Sequence, residues 1–129
     1  MRVIDDLKRL ERTGSEESRA TEKLINAAKA VTAHIAEQFV GFRDGTYHVS
    51  RSDANYVIAV NNGGATFSRI DVSHCGSVTW SDPRYIGREA ALKLASSIAS
   101  GLLTEIADWL DERKIEAKEA TAILEEHVG

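Results

Sequence analysis

The tetrapeptide Asn61-Asn62-Gly63-Gly64 constrains this chain more than any other feature. Asn-Gly accepts the positive φ values of a type I′ turn, whose twist joins two antiparallel strands. The flanking residues suit strands: Asn55 to Val60 on one side and Ala65 to Ser73 on the other. An Asp44-Gly45 turn precedes a first strand, Thr46 to Ser50, and a reversal at His74-Cys75-Gly76 leads into a fourth, Ser77 to Ser81.

Register arithmetic follows from the turns. With Asn62-Gly63 as the loop, Val60 faces Ala65, Ile58 faces Phe67 and Tyr56 faces Arg69. With Cys75-Gly76 as the next loop, Val78 faces Ser73 and Trp80 faces Asp71. Side chains alternate along a strand, so one face collects Tyr56, Ile58, Val60, Phe67, Val78 and Trp80. The other collects Val57, Ala59, Thr66, Ser68, Ile70, Val72, Ser77 and Thr79, a small and mildly apolar set. Arg69 and Asp71 then fall on the bulky face. Either a bulge near Arg69 exchanges them with Ile70 and Val72, or the pair sits at the open end of the sheet.

Helical periodicity brackets this ribbon. Val3, Leu7 and Leu10 form a short stripe, interrupted at Thr13-Gly14-Ser15-Glu16, where Thr13 and Glu16 have capping-box spacing and a second helix is expected to start. Leu24, Ala28, Val31, Ile35 and Phe39 continue at helical spacing to Gly41. After the ribbon, Asp82-Pro83 reads as an N-cap and first helical residue. Ala91, Leu94, Ala95, Ile98, Leu102, Ile106 and Trp109 then form one long stripe, with a break expected at Arg113-Lys114-Ile115 before a last helix. The fold class is therefore α+β: a four-stranded antiparallel β-meander with N-terminal and C-terminal helices packed on one face, in the order α-α-β-β-β-β-α-α. A length of 129 residues suits a single domain over 1–129.

Charge and cysteine content remove several functions. Residues 1–40 are neutral, 41–88 carry +1 and 89–129 carry −5, which together give the net −4. No segment has the basic stripe that neutralises phosphates, so no nucleic-acid partner is expected. No apolar run approaches a membrane span and no signal-peptide core is present, so no membrane is expected either. One cysteine excludes a disulfide framework and the cysteine-rich zinc modules, and points to the reducing cytoplasm.

The chemistry-bearing residues form only loose groups. Cys75 and His74 are neighbours on an extended chain and point apart, so neither activates the other. His48, His74, Cys75 and His127 lack the close ligand spacing of a metal site. No residue is assigned a catalytic role, and no metal or cofactor is expected. A ligand site, if present, is expected at the sheet end among His48, Arg69, Asp71, His74 and Cys75, joined by Arg84 and Arg88 at a helix start that would attract an anion. Candidate interface residues are Val57, Ala59, Ile70 and Val72 on the mild sheet face, and Trp109 in its acidic surround.

Three functional readings follow. The first is a non-catalytic protein–protein interaction or regulatory module, homodimeric because so many short elements leave more apolar surface than one two-layer core hides. The second is a small-molecule or anion-binding domain, or a modest enzyme, with its site at the sheet end. The third is an inhibitor or immunity-type protein that blocks one larger partner.

Overall fold

The computed structural model describes residues 2–71, 78–80 and 82–128. They fall into two units, residues 1–95 and 96–129.

The first unit opens with a single helix, α1 (Arg2–Glu37), about 54 Å long at 1.5 Å per residue. It runs unbroken through Thr13-Gly14-Ser15-Glu16, where the sequence predicts two helices. A mid-helix glycine costs about 1 kcal/mol relative to alanine, whereas a break would strip several backbone groups of their intrahelical partners. The buried positions of α1 are confined to its second half: Ala28, Thr32, Ile35 and Ala36. The Thr32 hydroxyl is satisfied by donating to the Lys29 carbonyl at 2.8 Å. Past Glu37 the N–H groups of Gln38, Phe39 and Val40 donate to carbonyls three residues back, and Gly41, at φ 91°, ends the run as its sequence position suggested. Phe39 is fully buried and meets Phe42 and Tyr47 at centroid distances of 5.1 and 6.3 Å.

Strands β1 (Gly45–Ser50), β2 (Ala54–Asn61) and β3 (Gly64–Asp71) form an antiparallel sheet in sequence order. The β2–β3 turn has Asn62 at φ 53° and Gly63 at φ 81°, the left-handed pair a type I′ loop needs. The ladder pairs Val60 with Ala65, Ile58 with Phe67 and Tyr56 with Arg69, as the turn arithmetic requires. Ala54, Tyr56, Ile58 and Val60 are buried while Asn55, Val57 and Ala59 are half-buried, the period-two signature of a sheet covered on one face. Helix α1 packs against β3. Tyr56 and Phe67 stack at 5.2 Å and 23° in the centre of this core.

The segment Val78–Trp80, β4, pairs with the free edge of β3, but not in the predicted register. Trp80 lies opposite Arg69 and Val78 opposite Ile70, instead of Asp71 and Ser73. The offset falls between Arg69 and Ile70, where two residues of β3 span three of β4. It places the buried Trp80 ring 6.2 Å from Tyr56 and 6.1 Å from Phe67. The indole N–H then donates to the Phe67 carbonyl at 3.1 Å, so its one polar atom is paired inside the core. The reversal predicted at His74-Cys75-Gly76 lies outside the described residues, as does Val72.

Asp82-Pro83 starts only a single 3-10 turn, Pro83–Tyr85, and not the long helix expected there. The Asp82 carboxylate accepts from the Arg84 N–H at 2.9 Å, but Ile86 is extended at φ −68°, ψ 115°, which ends the turn. Helix α2 begins at Arg88 and runs to Ala99. Within the first unit its Ala90, Ala91 and Leu94 are buried, whereas Ala95 is exposed.

The second unit holds the end of α2 and helix α3 (Leu102–Val128). The break between helices falls at Gly101, φ 109°, a left-handed conformation that glycine adopts without strain. The Gly101 N–H donates to the Ile98 carbonyl, and its own carbonyl accepts from the Glu105 N–H, so one residue closes one helix and opens the next. No break occurs at Arg113-Lys114-Ile115. None of those three residues removes a donor or prefers positive φ, and Lys114 pairs with Asp111 at 2.9 Å along the helix. Ser97, Leu102 and Ile106 are buried, Ile98, Trp109 and Leu110 are half-buried, and every residue from Asp111 to Val128 is exposed. No single helix among the described residues is long and apolar enough to cross a membrane.

Candidate functional site

The sheet end predicted to hold a site is built by the β1–β2 connection and the middle of β3. Tight closure after β1, where the Arg51 N–H donates to the Ala54 carbonyl at 3.0 Å, turns Arg51 and Asp53 back over the sheet. Asp53 faces two guanidinium groups: Arg51 Nε is 3.4 Å from Oδ1 and Arg69 Nη2 is 3.8 Å from Oδ2. Arg69 lies on the bulky face and is only 3% exposed. Its Nε donates to the buried Tyr56 hydroxyl at 3.1 Å. The β2–β3 ladder stays regular from Ala54–Asp71 to Asn61–Gly64, so no bulge in β3 turns Arg69 outward. A buried guanidinium is tolerable when its donors are matched, and here Tyr56 and Asp53 supply acceptors in the ring of Tyr56, Phe67 and Trp80.

The other predicted ligand residues do not join it. His48 is exposed and lies opposite Val57, on the sheet face away from Arg69. Asp71 stands opposite Ala54 in the ladder. His74 and Cys75 lie outside the described residues. Arg84 is held by Asp82, with Nη2 at 2.8 Å and Nε at 3.1 Å from Oδ2. The Arg84 side-chain and backbone donors lower the Asp82 pKa below its ordinary value, and the carboxylate raises that of Arg84. Arg88 pairs with Glu17 at 3.2 Å. Hydrogen bonding from the Thr21 hydroxyl at 2.6 Å, and then the Arg88 charge, lower the Glu17 pKa. The expected anion pocket therefore has both its arginines facing carboxylates. The Glu17–Arg88 pair spans 71 positions, and no local spacing signals it.

The candidate interface residues are more open. Val57, Ala59 and Ile70 are half-buried on the face opposite the core. Ser68, beside them, donates to the Val57 carbonyl at 3.3 Å. Trp109 is half-buried, and the Arg113 guanidinium sits over its ring at 4.9 Å. Two surfaces that the sequence reading did not single out are more apolar. On α1, Val3, Ile4, Leu7 and Leu10 are 50–67% exposed. On α3, Ile115, Ile123, Leu124 and Val128 are 46–88% exposed. The stripe Val3-Leu7-Leu10 was visible as periodicity, but periodicity does not say whether a stripe faces a core or water.

Among the described residues no group of three or more His, Cys, Asp or Glu side chains converges to hold a metal ion. Compared with protein-family models, curated proteins and solved structures, the chain matches none.

Proposed function

We propose that this chain is a non-catalytic protein–protein interaction module of the cytoplasm, built on a four-stranded meander, and that it self-associates. The observation that carries the reading is the set of nine large aliphatic side chains left in water along α1 and α3, the eight named above and Leu103. Scattered apolar residues on a surface need no explanation, whereas contiguous apolar stripes on helices mark contacts with other molecules. The half-buried Val57, Ala59 and Ile70 add a second mild surface on the open side of the sheet. The arginines of the predicted ligand site support the same reading, because Arg69, Arg84 and Arg88 each face a carboxylate of the chain itself: Asp53, Asp82 and Glu17.

Sedimentation velocity on the full chain at tens of micromolar tests this reading. A dimer is expected, dissociating on dilution. A monomer throughout that range overturns self-association.

A further inference from the structure

The continuity of α1 has a consequence for its first half. Because the helix does not break at Gly14, its two apolar stripes lie on one helix face, separated by the polar Thr21 and Glu17. Steps of four and three lead from Ile35, Val31, Ala28 and Leu24 on the packed half, through Thr21, Glu17 and Gly14, to Leu10, Leu7 and Val3. A repeat of this kind keeps one seam facing a partner along the helix, as in coiled coils. In the second half of α1 the seam is buried at Ala28 and Ile35. From Arg2 to Ala20 every residue of α1 is exposed. We propose that a second copy of this chain covers that exposed seam, α1 against α1, with the two helices crossing at Gly14.

Four observations point to that occupant. First, the exposed stripe keeps the spacing of the face that already packs on the sheet and resumes beyond Thr21 and Glu17, whose contacts stay within the chain, so the apolar pattern extends past its internal partner. Second, Gly14 sits on this seam in mid-helix, and a Cβ built there meets nothing within 4 Å. Glycine is a poor helix residue, and no contact among the described residues requires it, while a helix crossing at that point would. Third, the charges allow self-contact. A two-fold interface sets a patch against itself; residues 2–13 carry four basic and three acidic side chains, close to neutral. Helix α3, with eight acidic and three basic side chains, would repel its own copy.

Fourth, the size fits. Val3, Ile4, Leu7 and Leu10, at 50–67% exposure, offer on the order of 400 Å² of apolar area. Homodimer interfaces are roughly 65% non-polar, so the patch corresponds to about 600 Å² per partner, or ~1,200 Å² in all, the lower end of the range for specific interfaces.

This inference rests on the proposed self-association and is tested separately from it by sedimentation equilibrium on three versions of the 129-residue chain. The wild type is expected to dimerise. Leu7→Glu with Leu10→Glu is expected to weaken dimerisation at least a hundredfold, with Trp80 fluorescence unchanged because neither leucine belongs to the core. Gly14→Ala is expected to raise the thermal midpoint of dilute, monomeric protein, since alanine favours helix and the site is open, and yet to weaken the dimer at least tenfold. Those opposed signs are specific to a close crossing. A wild type that stays monomeric overturns both readings. A dimer whose affinity is unchanged by the double leucine substitution leaves self-association in place and overturns the α1 seam. An unchanged affinity in Gly14→Ala overturns the crossing point.

Discussion

Replacing Phe67 by alanine tests the register on which the core depends. Phe67 is fully buried, lies opposite Ile58, stacks on Tyr56 at 5.2 Å and meets Trp80 at 6.1 Å. Removing a buried phenylalanine ring loses its transfer free energy and leaves a cavity, together about 3–5 kcal/mol. Domains of this size have about 5–15 kcal/mol in total, so the variant should remain folded but visibly weakened. At about 3–5 °C per kcal/mol for a chain of this length, the midpoint should fall by roughly 10–20 °C. Urea unfolding followed by circular dichroism gives the free energy. Tryptophan fluorescence should report the same transition, because Trp80 borders the cavity. Thr66, the preceding residue, is exposed on the other side of the strand, and Thr66→Ala should change stability by no more than about 0.5 kcal/mol. A loss below about 1 kcal/mol for Phe67→Ala, or equal losses at the two positions, would refute the alternation.

Three further outcomes follow. Tyr56→Phe deletes the hydroxyl that accepts from Arg69 Nε inside the core, and should cost about 1–3 kcal/mol by urea unfolding, since a buried donor loses its acceptor. Gly101→Ala forces a Cβ into a backbone at φ 109° and should destabilise by about 1–3 kcal/mol, although the space around it is open. The Glu17 carboxyl should titrate below the ordinary glutamate range in a carbon-detected NMR titration, and its value should rise in Thr21→Val and also in Arg88→Gln, because the Thr21 hydrogen bond and the Arg88 guanidinium both lower it. With the folded-state pKa depressed, the stabilisation linked to Glu17 is present above the unfolded-state value and is lost as pH falls through the folded one.

Local chemistry determined the ribbon. Asn62-Gly63 has one favourable turn geometry, and a two-residue loop leaves one register, so the pairs Val60–Ala65, Ile58–Phe67 and Tyr56–Arg69 were legible from composition at four positions. Periodicity likewise revealed helix on either side of residues 13–16, though as two helices and not one, and the buried Ala91, Leu94, Leu102 and Ile106. Tertiary structure decided what local rules leave balanced. Thr13 to Glu16 satisfies a cap and a helix interior alike, and the cost of one glycine was smaller than the cost of a break. Pro83 can open a 3-10 turn as well as an α-helix, and the extended Ile86, buried at 4% exposure, selected the former. The offset of β4 placed Trp80 against Tyr56 and Phe67, a packing gain between residues distant in sequence. Arg69 points inward because Tyr56 and Asp53, from another strand and a loop, are there to meet it. Whether a stripe meets a core or water is also decided beyond the stripe itself, which is why Ala28 and Leu7, on one seam of one helix, have opposite environments.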